Sequence, residues 1–322
     1  MSSKATRQVL VGKQTVAGTG VNVDVALHAT SSVQPMVDKI HPEEDIGSFA
    51  PSRHYIGSIR PQGQLVLPDA VYEEILIPLS MALGEPTPSA GPPYTWTFTL
   101  ANTTASGLLA FCLWTLEYTA DVNTYLVRAE DVFAKSLTIE GVAGKGWKVT
   151  ADLDGGEVTL PAALSATPAI DDTVTPIRMA ETLLYVDTTW AGIGVTNVEE
   201  LIQFTWKLEE YQHAKQFAGS LYPNGRGNGR YKMTLELILE VSAPEAQTFA
   251  DAILATTQYA VQIKGLVDAN DSCKINGMYM VEEVSTLDDR DGNNTIKITL
   301  LGEKDASDNT GAVVVVTDVA AL

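Results

Sequence analysis

Alternation with a period of two governs most of this chain, and one alternating block occurs twice. Trp147–Leu153 reads WKVTADL, and 84 positions later Tyr231–Leu237 reads YKMTLEL. Each runs aromatic, lysine, apolar, threonine, apolar, acid, leucine. Alternate apolar positions suit a strand with one buried face. A second strand-like block precedes each one, Ser136–Glu140 (SLTIE) and Gln203–Leu208 (QFTWKL). The reading is a β unit carried twice, which points to building material before it points to an enzyme.

At 322 residues the chain exceeds the ~250–300 at which single cores stop growing. Two domains are expected, 1–165 and 166–322, around the Ala-, Pro-, Thr- and Asp-rich linker Leu160–Pro176. Hydrophobic residues make up 45% and charged ones 19%, so a packed fold is affordable in apolar side chains. The formal charge is −19, with −7 before residue 166 and −12 after it. Acidity spread over both halves repels phosphate backbones and disfavours tight nucleic-acid binding. A surface past which DNA must slide without sticking wants this sign. Cys112 and Cys273 are the only cysteines, which fits a reducing compartment or an assembly without bridges. The N-terminal stretch lacks the charged-then-apolar layout of a cleaved signal. No apolar run reaches the ~18 residues of a membrane span. A soluble protein is expected.

Strands are expected at Val21–Leu27, Tyr55–Leu67, Tyr94–Leu100, Leu113–Tyr118, Phe133–Glu140 and Trp147–Asp154 in the first half. In the second they fall at Leu183–Val186, Val198–Leu208, Met233–Val241, Gln258–Leu266, Ile275–Thr286 and Thr295–Leu301. Asp288–Asn294 turns the chain into the last of these. Each half carries one expected helix. Val71–Gly84 has Glu73 and Glu74 at its positive end, Gly84 to close it and Pro78 to kink or shorten it. Ala243–Ala255 follows Ser242 as N-cap. Ile40–His54 and Tyr222–Lys232 read as long loops. The β-branched run Val313–Thr317 is suited to adding a strand to a neighbouring chain.

Chemical motifs fail on inspection. His41 and His54 flank Glu43, Glu44 and Asp45, but their spacing matches no standard metal pattern. His28 has no ligand partner nearby in sequence. In Asp288–Asn294 the EF-hand glycine rule would make Leu287 the first calcium ligand, which leucine cannot be. Gly225, Gly227 and Gly229 precede a strand, so they form no dinucleotide turn. Gly144–Lys145 lacks the Walker spacing. The pairs Glu199–Glu200, Glu209–Glu210 and Glu282–Glu283 lie on strands, where neighbours face opposite sides and do not converge. No catalytic, cofactor or metal residue is assigned.

The layout resembles the tail tube proteins of long-tailed, siphovirus-type bacteriophages. The resemblance rests on the opening V-G-K-Q-T with Gly18–Thr19, and on P-Q-G-Q-L-V-L-P leading into Val71–Gly84. It rests also on the second-half order of Phe204–Leu208, the loop Tyr222–Gly229, Met233–Val241, Ala243–Ala255 and the hairpin closing at Gly302. It covers most of the chain, with the first 55 residues and the tail after 305 matching least. It implies a mainly β fold: two tandem β-sandwich tube domains, each with one helix, forming an inner β-barrel on oligomerisation. It implies three-membered homo-oligomeric rings with pseudo-sixfold symmetry, stacked into a tube that conducts double-stranded DNA into the host cell. The chain would then belong to the virion, be assembled in the host cytoplasm, and meet tape measure, tail terminator and distal tail proteins, but no membrane.

If each domain lends four strands, six domains give a barrel of ~24 strands, about 50 Å across at its backbone. On its wall the polar alternate positions should be acidic or neutral. The candidates are Glu140, Asp152, Glu236 and Glu240, with Lys148 and Lys232 on the same faces. The candidates for contacts between rings are Glu43, Glu44, Asp45 and Arg53 in the first loop, and Asn224, Arg226, Asn228 and Arg230 in the second. The rival reading is a carbohydrate-binding or adhesin-type β-sandwich. It needs an exposed aromatic platform, whereas Trp96, Trp114, Trp147 and Trp206 all fall on apolar faces and only Trp190 sits in loop-like sequence.

Overall fold

The computed structural model describes residues 7–42, 53–100, 113–120, 125–209, 212–240, 251, 257–268, 270–285, 287–290, 293–307 and 310–322. The first half contributes β1 (Gln8–Gln14), β2 (Val25–Leu27), β3 (Thr30–Ser31), β4 (Gln34–Ile40), β5 (Tyr55–Leu67), helix α1 (Leu76–Leu83), β6 (Tyr94–Thr99), β7 (Leu113–Ala120), β8 (Tyr125–Val142), β9 (Lys148–Asp154) and β10 (Val158–Thr159). The second contributes β11 (Thr182–Asp187), β12 (Asn197–Val198), β13 (Leu201–Glu209), β14 (Gln212–Lys215), β15 (Gly225–Asn228), β16 (Lys232–Glu240), β17 (Gln258–Leu266), β18 (Ser272–Val284), β19 (Asp288–Arg290), β20 (Asn293–Gly302) and β21 (Gly311–Thr317). The fold is mainly β.

Helix α1 is shorter than Val71–Gly84. Starting it at Leu76 puts Pro78 in the first turn, where a missing N–H costs no hydrogen bond. Gly84 ends it at φ 86°. All eight residues are buried, so the helix is apolar all round, as an interior helix must be. Ser80, the polar exception, donates to the Ile77 carbonyl (2.7 Å) and accepts from Trp114 Nε1 (3.1 Å).

The ladders run β4–β5–β9–β8–β13–β16–β20–β18, every pair antiparallel. This is one continuous inner layer, in which β13 of the second half adds directly to β8 of the first. One face carries Leu65, Leu67, Val149, Ala151, Leu137, Ile139, Phe204, Trp206, Leu235, Leu237, Ile298 and Leu300, all buried. Two outer layers cover that face. One is β2–β1–β7 with the first part of β8 and β10; the other is β12–β11–β17 with the first part of β18, then β21 and β6. The long strands β8 and β18 pass from outer to inner layer.

The two halves correspond element by element. β1 pairs β2 and β7 as β11 pairs β12 and β17. β7 pairs β8 as β17 pairs β18, and β8 pairs β9 as β18 pairs β20. β10 then lies on β8 as β21 lies on β18. Even the irregularities match: the bulge between Ala134 and Ser136 against β9 has its counterpart between Val281 and Glu283 against β20. On this correspondence β5 answers to β16 and β9 to β20. The sequence match of β9 with β16 therefore joins strands that are not equivalent. They share the alternation demanded by the same two faces, and nothing more.

Other expectations are corrected in the same way. Val313–Thr317 adds no strand to a neighbour here. β21 is taken up inside the chain between β18 and β6. Since β6 precedes residue 165, a first-half strand completes a second-half layer. The loop Tyr222–Lys232 contains β15, hairpinned to β14. Ile40–His54 is flanked by a paired hairpin, β4 with β5, and of Val21–Leu27 only Val25–Leu27 is a strand. The expected helix Ala243–Ala255 lies outside the described residues apart from Asp251, which is helical. The linker Leu160–Pro176 has little regular structure but is pinned: Ser165 N–H donates to Glu117 (3.0 Å) and Tyr72 N–H to Thr175 (3.1 Å).

Candidate functional site

The uncovered face of the inner layer is polar along its central strands. Alternation puts Gln64, Asp152, Thr150, Lys148, Ser136, Thr138, Glu140, Thr205, Lys207, Glu209, Thr234, Glu236, Lys297 and Thr299 on it. The ladder registers align them in rows: Lys148 opposite Glu140, then Thr205, Glu236 and Thr299 strand by strand. Such rows are cross-strand pairs, the unit of sheet stabilisation.

Three of the four acids proposed for a lumen wall are partnered. Glu140 forms an ion pair with Lys148, and Glu236 with Lys297 at 2.9 Å. Asp152 accepts from Gln64 Nε2 (2.7 Å) and Ser136 Oγ (2.5 Å). Glu240 closes β16, its N–H bonded to the Glu200 carbonyl. Glu209 has Lys207 at 3.3 Å. On the described part of this face Lys148, Lys207, Lys232 and Lys297 stand among Glu140, Asp152, Glu209, Glu236, Glu240 and Glu283, so most of the net charge of −19 lies elsewhere. These exposed pairs contribute little stability.

The junction β8–β13 holds the layer together across the middle of the chain. Gly141 stands opposite Phe204, and a Cβ there would sit 2.4 Å from the Phe204 ring. Only glycine admits this approach. Behind it Trp147 meets Phe204 edge-on at 5.0 Å and donates to Thr182 Oγ1 (2.9 Å).

Two hairpin arms flank the face. The second-half arm, β14 and β15, is docked on the first half. Arg226 lies 5.3 Å from the centre of the Phe133 ring. Gln212 donates to the Met81 (3.3 Å) and Ala82 (2.5 Å) carbonyls, and the Ile59 N–H donates to Leu221 (2.8 Å). Asn224 and Arg226, proposed for contacts between rings, here line a cleft of about 220 Å³ with Asp131, Phe133 and Gly156 of the same chain. Arg230 is exposed and Asn228 lies in β15. The first-half arm, β4 with the start of β5, is exposed along most of β4 and at Tyr55 and Ile56, while Gly57 to Arg60 are half-buried and Gln216 Nε2 donates to the Gly57 carbonyl (3.3 Å). It exposes Met36, Val37, Ile40, Tyr55 and Ile56. His41 and His54 face each other at its end, ring centres 5.6 Å apart. Arg53 is exposed there, while Glu43, Glu44 and Asp45 lie outside the described residues.

Sequence reasoning missed the buried charges. Glu117, with no exposed side-chain surface, pairs with Arg128 at 2.8 Å, and Arg128 also holds Glu130 at 2.8 Å and the Val21 carbonyl at 3.0 Å. His28 Nδ1 lies 2.6 Å from buried Glu74, 46 residues away. Neither pair has a local signal. Among the described residues no group of three or more His, Cys, Asp or Glu is placed to hold a metal ion. Trp96, Trp114, Trp147 and Trp206 are buried, and Trp190, in a 3-10 turn, is partly exposed. Among the described residues no helix is long and apolar enough to cross a membrane. No protein-family profile and no curated protein matches the chain.

Proposed function

We propose that this chain is a structural subunit of a tube of the kind built as the tail of long-tailed bacteriophages. One observation carries the reading. The inner layer is made of two equivalent four-strand units that follow each other in the same sense, with an unpaired ladder side at each end among the described strands. At one end lies β4, paired only with β5; at the other lie the end of β18 and β19, paired only with β20. An operation that carries one unit onto the next is heterologous, and repeated it generates a ring or an open helix. Closure removes both edges.

Three copies give ~24 inner strands and a wall about 50 Å across, or about 40 Å inside the side chains. That passes a DNA duplex. The outer layers and α1 cover the apolar face, so the polar face turns inward. A lining of interleaved acids and lysines, with threonine and serine between, gives a sliding phosphate backbone no extended patch of one sign. The chain needs no catalytic group or cofactor for this role. Its partners are further copies of itself, the other tail proteins at the tube ends, and DNA in transit.

Negative-stain microscopy with sedimentation of the purified chain tests this. Rings or tubes are expected. Monomers at every concentration, retained on a glycan surface, would favour the carbohydrate-binding reading instead.

A further inference from the structure

The geometry points to a specific contact between copies: the junction inside the chain is the pattern for the junction outside it. We infer that β4 of one copy adds to the end of β18 of the next in the register by which β13 adds to β8. This rests on the ring reading above and goes beyond it, because it names strands, register and a covering arm.

The correspondence of ladders supplies the register. Gln34 stands opposite Gln62 on β5 as Lys207 stands opposite Thr234 on β16, so β4 answers to the end of β13. β3 agrees, since Ser31 faces Leu65 as Phe204 faces Leu237. On the other side the matched bulges equate Glu283 with Ser136 and Val284 with Leu137. Inside the chain Leu208 faces Leu137 and Lys207 faces Thr138. Between copies, therefore, Pro35 faces Val284 and Gln34 faces Ser285. One step further along, Met36 faces Glu283.

Pro35 fits this role. It stands opposite Pro61 on β5, and two residues without N–H groups cannot form a hydrogen-bonded pair. Pro35 therefore turns its carbonyl to the open side, where it accepts from the neighbour. Its missing N–H leaves the ladder one bond short, which blunts the edge before assembly.

The arms repeat the relation. The second-half arm, hairpin β14–β15, precedes β16 as the β4–β5 hairpin precedes the rest of β5, and it rests on the unit to which β13 is joined. The first-half arm is held only at Gly57 and Ile59, by the segment after β14, and it still exposes Met36 (50%), Tyr55 (54%) and Ile56 (41%). A neighbour's second half, met through β18, lies where the first half lies under the docked arm. A second copy of this chain is thus the occupant that covers the exposed arm.

Opposed residues in antiparallel strands lie about 4.5–5.5 Å apart at Cα, within disulfide reach. Met36→Cys with Glu283→Cys should, on mild oxidation of assembled protein, give covalent dimers and closed trimers. Each single variant should stay unlinked. Gln34→Cys with Ser285→Cys is the second pair, should the first fail to fold. Linked open chains would support the contact and overturn closure at three. Rings or tubes in micrographs without a cross-link from either pair would overturn the register and leave the ring reading standing. No assembly and no cross-link would overturn both.

Discussion

Equivalent positions in the two halves solve one packing problem with different chemistry. Leu10 on β1 faces Glu117 on β7, which faces Arg128 on β8; Tyr185 on β11 faces Gln262 on β17, which faces Asn276 on β18. The first half joins its pair as a buried ion pair at 2.8 Å, the second as a neutral hydrogen bond at 2.7 Å donated by Gln262 Nε2 to Asn276 Oδ1. The arms differ too, one docked and one exposed. The comparison teaches that one ladder topology accommodates different side chains, and that of two equivalent arms one is docked while the other is left largely exposed.

The largest effect is expected at the buried pair. Arg128→Met leaves Glu117 charged and unpaired in the interior and should cost about 3–5 kcal/mol, read by chemical denaturation. The double change Glu117→Gln with Arg128→Asn copies the second half and should recover more than half of that. No recovery would break the equivalence. Next comes the junction. Gly141→Val drives a side chain into Phe204 and should cost about 1–3 kcal/mol, visible as a lowered Tm. An unchanged Tm would mean that the β8–β13 approach is looser than described.

The arms separate stability from assembly. Met36→Ser with Tyr55→Ser, both exposed, should change stability by less than about 0.5 kcal/mol yet abolish large species in sedimentation. Arg226→Ala, on the docked arm, should lower stability by about 0.5–1 kcal/mol. If both behave alike, the contrast between the arms is wrong.

Asp154 gives a smaller, pH-dependent effect. Burial raises its carboxyl above the ordinary value, against the Gly155 N–H and Arg60, which lower it. For a raised acid the unfolded chain releases its proton first as pH climbs, so stability falls from the unfolded value upward. Asp154→Asn removes that loss. Its Tm advantage should be absent where the carboxyl is protonated in both states and should grow as pH rises above the ordinary carboxylate range. A Tm difference independent of pH would contradict it. The smallest readout is Cys273, whose thiol is fully buried and pushed up to about 12. In a Cys112→Ser background it should resist alkylation at mild pH until the chain unfolds.

Strands with one wet and one dry face were legible: β16, expected at Met233–Val241, runs Lys232–Glu240 with alternating burial. β1 was missed because QVLVGKQ is buried on nearly every residue, so it does not alternate. β4 was missed for the opposite reason, since its residues are nearly all exposed. β15 hides behind glycines that usually signal loops. The likeness of WKVTADL to YKMTLEL points to a duplication, but that pattern reports which face is dry and not which strand it is. Topology alone pairs β5 with β16. Of the candidate face, the acids were legible and their partners were not, because Lys297 reaches Glu236 from 61 residues away. Of the first-half arm, β5 is found at its expected bounds Tyr55–Leu67, whereas β4 and its exposed apolar side chains carry no alternating signal.

The most direct test is an end-on cryo-electron microscopy average of the assembled chain. The account predicts threefold symmetry with six similar densities around a lumen of about 40 Å, walled by the polar face. A ring in which the two halves of the chain do not alternate, or one whose lumen is walled by the outer layers, would contradict it.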